Sequence, residues 1–184
     1  ASVRAEDAAD DDDEPEGKVL PGPVFEPLKF EEPKLSEPAS VYLWEYFKGR
    51  GAIGKTWLKS TAKKDGVDSE IAKYNGEWEV AAPSSVAIEG DWGLIVKTDA
   101  RHHAIAARLA KPYAFHPDQD KPLVLQYEVR FEEGQNCGGG YVKLLSKGAE
   151  KHLDNFNDKT DYTIMFGPDK CSPSGKVHLI FRFR

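Results

Sequence analysis

The chain has 184 residues, enough for one domain, and a formal net charge of −6. That negative field disfavours nucleic acid and anionic membranes as partners. No apolar run approaches the roughly 20 residues needed to span a bilayer, and no Asn-x-Ser/Thr acceptor is present.

Residues 1–40 read as a leader. An acidic run over residues 6–16 overlaps a proline series at Pro15, Pro21, Pro23, Pro27, Pro33 and Pro38. Like charges repel and proline removes backbone donors, so the segment is expected to be extended or disordered. It reads as a solvated leader, or as a low-affinity Ca2+ or partner tail. The chain opens on Ala1 without a signal-peptide pattern, which suggests a processed form.

Residues 41–184 read as mostly β. Candidate strands in chain order are 41–47, 78–80, 93–98, 103–109, 123–132, 140–145, 162–166 and 176–184. The clearest is 123–132: Leu123, Leu125, Tyr127, Val129 and Phe131 alternate with Val124, Gln126, Glu128, Arg130 and Glu132. At 176–184 the same pattern puts Val177, Leu179, Phe181 and Phe183 inward. Turn signals separate the strands, among them Asn75-Gly76, Gly90-Asp91, Gly167-Pro168 and Ser174-Gly175. A short helix or loop is expected around 149–156. Several short strands between turns indicate an antiparallel sandwich or jelly roll. The pattern stops in mid-strand at Arg184, so the domain is expected to be incomplete at its C-terminal end.

The only two cysteines are Cys137 and Cys171. A pair alone is compatible with two buried thiols. The flanking glycines and prolines place both near turns and favour a bridge, hence an oxidising compartment.

The block between them carries the chemistry. Residues two apart on a strand share a face, so Tyr141 and Lys143 project together while Val142 and Leu144 face the core. Three glycines, Gly138 to Gly140, let a ligand approach the backbone. A tyrosine ring suits the C–H face of a sugar, and lysine and Asp169 can donate to and accept from its hydroxyls. Alternating Tyr and Lys is also ordinary sheet surface. Tyr162 and Met165 are three apart, so they can line one site only if the strand bends or bulges.

Cys-Gly-Gly-Gly-Tyr-Val-Lys at 137–143 and Tyr-Thr-Ile-Met-Phe-Gly-Pro-Asp-Lys-Cys at 162–171 resemble the paired signature of the calnexin and calreticulin family. Glu-Ile-Ala-Lys-Tyr-Asn-Gly-Glu-Trp-Glu-Val at 70–80, His-His-Ala-Ile at 102–105 and Gln-Tyr-Glu-Val at 126–129 resemble its calnexin branch. The resemblance covers residues 41–184 and implies a legume-lectin-like jelly roll. It also implies binding of monoglucosylated high-mannose N-glycans on unfolded glycoproteins in the lumen of the endoplasmic reticulum. Tyr141, Lys143, Tyr162 and Asp169 fall on the glucose-binding positions, Met165 on a position packing against the sugar, and Cys137 and Cys171 on a disulfide beside the site. A structural Ca2+ site is implied at Tyr46 and at the Gly90-Asp91-Trp92 turn, mainly Asp91. Read without the family, Gly90-Asp91 is simply a turn.

The sequence departs from the family pattern in what it omits. It contains no proline-rich arm, through which the family recruits the disulfide isomerase ERp57, no later lectin strands and no membrane helix. The expected parent is a single-pass membrane protein of the calnexin type.

Two other functions compete with the lectin. A glycan-independent polypeptide-binding chaperone is one. A glycoside hydrolase is the other, and it needs paired carboxylates across a glycosidic bond; Glu89-Gly90-Asp91 is followed by Gly93 and Leu94 where a further acid is required. The spacing Gly49-x-Gly51-x-x-Gly54 opens no clear helix and lies in no βαβ unit, so it is not read as a nucleotide site. His102 and His103 are neighbours facing opposite ways on a strand and share no ligand. Trp44, Trp57, Trp78 and Trp92 read as packing residues.

Overall fold

A computed structural model describes residues 26–68, 72–85, 87–115, 122–171 and 173–182. The acidic run, residues 1–25 of the leader and Phe183 lie outside these residues. Within them the chain is all-β with antiparallel sheets. No helix among the described residues is long and apolar enough to cross a membrane.

Strand β1 (Trp57–Lys59) pairs with β4 (Ile105–Ala107), and β2 (Trp78–Ala81) pairs with β3 (Gly93–Val96). The main sheet joins β5 (Cys137–Gly139), β6 (Val142–Leu145), β7 (Tyr162–Cys171) and β8 (Ser174–Phe181). Strand β7 is the long central member. Both β5 and β6 line one of its edges, and β8 lines the other. The segment expected to turn at Gly167-Pro168 runs straight through β7. Proline at 168 is tolerated because it lacks only the N–H, while its carbonyl accepts from Gly140 N at 3.0 Å. The expected helix near 149–156 is a pair of single 3-10 turns, Ala149–Lys151 and Leu153–Asn155.

The buried set is made largely of small side chains: Ala62, Ala72, Ala104 and Ala106, with Leu153 and Val80. Val80 is the largest fully buried side chain among the described residues, worth about 1.5–3 kcal/mol. Buried Ser60 keeps its hydroxyl satisfied by donating to the Phe156 carbonyl at 2.6 Å.

Three expected strands differ. Residues 41–47 form none. Nor do residues 123–132, although Leu123, Leu125 and Tyr127 are half-buried and Val124, Gln126 and Glu128 exposed. The alternation holds as far as Glu128 and fails beyond it, where Val129 and Phe131 are exposed, and this stretch has no ladder partner among the described residues. On β8 the expected inward side is open: Val177, Leu179 and Phe181 are 66%, 73% and 52% exposed. Phe181 meets the ring of Phe115 at 5.6 Å, but little else among the described residues packs over that side.

Candidate functional site

Directly opposed residues of an antiparallel pair share a face. Lys143 opposes Met165, which opposes Ile180, so these three form one row across β6, β7 and β8. Gly139, Asp169 and Lys176 form a second row. Between them Gly167 opposes His178. This face collects Lys143, Met165 and Asp169 from distant points in the sequence.

Tyr141 lies between β5 and β6 over the same face. Its ring meets His178 edge-on at 6.0 Å. Burial first, and then the neighbouring Asp169 carboxylate, raise its hydroxyl pKa. The ring lies directly over Gly139, where a Cβ would fall 2.2 Å from it. Only glycine leaves that space.

Tyr162 reaches the face through a bulge. Leu144 pairs with Ile164 but Leu145 pairs with Tyr162, leaving Thr163 as an extra residue on β7. One extra residue reverses the parity of side chains beyond it. Tyr162 and Met165, three apart, thereby come to the same side. The Tyr162 ring is buried, with the Lys143 ammonium 5.0 Å from its centroid and the Arg182 guanidinium 3.9 Å from it.

Lys143 is half-buried, and burial lowers its pKa; the Arg182 charge lowers it further and Asp158 opposes this. Among the described residues no carboxylate lies within ion-pair distance of Lys143. A partly desolvated ammonium without a counter-ion is costly. It has donors to offer a ligand rich in oxygen acceptors. Asp169 accepts from His178 Nε2 at 3.2 Å when that nitrogen carries the proton. Sequence reasoning missed His178, Ile180 and Arg182. The signal lay in β8 itself, whose alternate residues point to this face once paired with β7.

Cys137 and Cys171 are disulfide-bonded across the β5–β7 ladder with Cα atoms 4.2 Å apart. A bridge of separation 34 contributes about 4 kcal/mol in the chain-entropy treatment. It closes the end of the face where β5 makes only three pairings.

Tyr46 and Asp91 lie in a second region. The Phe30 amide donates to Glu89 O at 2.8 Å, and its ring faces that of Tyr46 at 6.0 Å. Phe30 thus stands between Tyr46 and the Gly90-Asp91 turn, where Gly90 has φ +84°. The Tyr46 hydroxyl is taken up by Glu32, leaving its backbone carbonyl as the donor suited to a cation. The half-buried Asp91 carboxylate has no ion pair or hydrogen bond among the described residues. These two donors suit calcium chemically, but calcium takes 6–8 oxygens. No three His, Cys, Asp or Glu side chains cluster among the described residues.

The glycine loop at 49–56 does not have phosphate-loop geometry. Its Gly54 and Thr56 amides bond back to Trp57 O and Ala52 O, and a strand follows it in place of a helix. A cavity of about 400 Å³ lies elsewhere, between Leu28 and Ile88.

An open sheet face with aromatic rings, an ammonium and a carboxylate beside a disulfide has the character of a lectin domain. Residues 43–184 match the sequence profile of the calreticulin family, and the chain belongs to that family. It is 58% identical over 188 residues to calnexin of Caenorhabditis elegans, an alignment covering 100% of this chain and 30% of that protein. It is 46% identical over 182 residues to calmegin of Mus musculus, covering 99% of this chain and 28% of that one. Among solved structures it resembles the T. cruzi calreticulin globular domain, with TM-score 0.55 and 27% identity over 78% of this chain and 48% of that one. The chain thus spans under a third of the length of these curated relatives.

Proposed function

We propose that this chain supplies a carbohydrate-binding face of an endoplasmic reticulum lectin chaperone. That face takes the terminal glucose of monoglucosylated high-mannose N-glycans on unfolded glycoproteins. Tyr141 and Tyr162 contact the glucose ring and hydroxyls, Met165 packs against it, and Lys143 and Asp169 fix its orientation. The Cys137–Cys171 bridge holds β5 to β7 beside them. The function is binding, without chemistry. One observation carries the reading: the ladder and its bulge bring residues from 141 to 169 onto one face, around an ammonium that has no carboxylate partner among the described residues.

Calcium belongs to the same proposal as a structural ion, with the Tyr46 carbonyl and the Asp91 carboxylate among its oxygens. Recruitment of ERp57 and membrane anchoring belong to the same proposal, as properties of a longer parent protein.

A second reading is glycan-independent capture of unfolded polypeptide. The exposed apolar side of β8, at Val177, Leu179 and Phe181, favours it. Binding to a denatured glycoprotein, before and after removal of the terminal glucose, separates the two. The lectin reading requires binding that disappears with the glucose. Equal binding to both forms assigns the chain to polypeptide capture.

A further inference from the structure

Tyr127 has no part in the sugar-binding assignment, yet it is tied to the face. It lies in the stretch at 122–132 that pairs with no strand among the described residues. Its hydroxyl donates to the Gly140 carbonyl at 2.8 Å, and its ring meets Phe166 edge-on at 5.8 Å and 90°. Burial raises its pKa, so the hydroxyl remains a protonated donor at neutral pH. Phe166 opposes Val142, which puts both on the side of the sheet away from Lys143 and Met165. The Tyr127 ring therefore packs behind the glycan face, while its hydroxyl reaches the seam where Gly140 and Gly167 meet.

The point it reaches has no slack. Gly140 immediately precedes Tyr141, and its amide donates to Pro168 O at 3.0 Å. Both backbone polar groups of Gly140 are thus engaged. On β7, a Cβ at Gly167 would fall 2.2 Å from Gly140 O, 2.3 Å from the Tyr127 hydroxyl and 3.1 Å from Tyr141 Cα. Three chain segments meet where no further side-chain atom fits.

We propose that Tyr127 is a positioning residue for carbohydrate recognition. Its hydroxyl fixes the Gly140 carbonyl, and with it the direction in which the Tyr141 ring leaves the sheet. This inference rests on the lectin reading.

Tyr127→Phe removes the donor and keeps the ring against Phe166. Thr98→Val is the control: it removes a hydroxyl bonded to the Glu77 amide at 2.8 Å and to His103 at 3.0 Å, with no part in the glycan face. The chain and both variants are titrated with monoglucosylated high-mannose oligosaccharide and melted in parallel. Tyr127→Phe is expected to bind about tenfold more weakly, while Thr98→Val melts lower and binds as the parent does. Equal affinity for Tyr127→Phe and the parent overturns the inference. So does an equal loss in Thr98→Val, because affinity would then follow general stability. If the parent itself shows no glucose-dependent binding, the lectin reading fails first and takes the inference with it.

Discussion

The imidazole Nε2 of His178 lies 3.2 Å from the carboxylate of Asp169, joining β8 to a residue assigned to the glycan. The same imidazole meets the Tyr141 ring. His178 thus braces two assigned contacts at once. His178→Ala should weaken binding of monoglucosylated glycan by about three- to tenfold, the scale of one hydrogen bond. Its melting temperature should change little, since the residue is only part-buried. Calorimetric titration beside a thermal melt measures both, and unchanged affinity contradicts the bracing role.

Gly167→Ala should destabilise the fold by about 2–4 kcal/mol. The residue sits at φ +149°, and its Cβ would strike the Gly140 carbonyl. Backbone cannot yield as a flexible side chain does. Chemical denaturation reads the loss directly. A variant as stable as the parent would mean that the seam between β6 and β7 is looser than described.

Much of the geometry of the candidate face was legible in the sequence, and so was the point where regular alternation fails. The three-residue offset between Tyr162 and Met165 required a bulge, and the ladder has one at Thr163. The alternation at 123–132 was legible too, but a pattern of side chains does not say whether a partner strand is present. On β8 the pattern identified the two faces. It could not say that Val177, Leu179 and Phe181 would be left open, because burial depends on what packs across them. The side of β8 that shares the candidate face went unnoticed for a related reason: His178 and Arg182 acquire meaning only through their register against β7.

His103 gives a pH dependence. Burial lowers its pKa, the Arg101 carbonyl partly restores it, and the charge of His102 lowers it further. Its other neighbours are neutral: the Thr98 hydroxyl and the Trp78 ring. The unfolded chain therefore takes up the proton more readily than the folded one. The stability His103 contributes is present above its unfolded value of about 6.5 and is lost as pH falls through the lower folded value. Melting the parent and His103→Asn between about pH 7.5 and 5 should show a steeper decline for the parent below about 6.5. Parallel declines would remove His103 as the cause.

Calcium should raise the melting temperature, and chelation should lower it, if Asp91 and the Tyr46 carbonyl hold the ion. Asp91→Asn should abolish most of that shift while leaving the apo form close to the parent, since its carboxylate has no partner among the described residues. A full calcium shift in Asp91→Asn would place the ion elsewhere.

The most direct test is calorimetric titration of the chain, in calcium, with monoglucosylated high-mannose oligosaccharide against the unglucosylated control, repeated with Lys143→Ala. The arrangement of Tyr141, Lys143, Tyr162 and Asp169 predicts glucose-dependent binding that Lys143→Ala abolishes. That variant should melt no lower than the parent, because it removes a half-buried charge without an ion-pair partner among the described residues. Glucose-dependent binding that survives in Lys143→Ala, or binding indifferent to glucose, would contradict the assignment of this face.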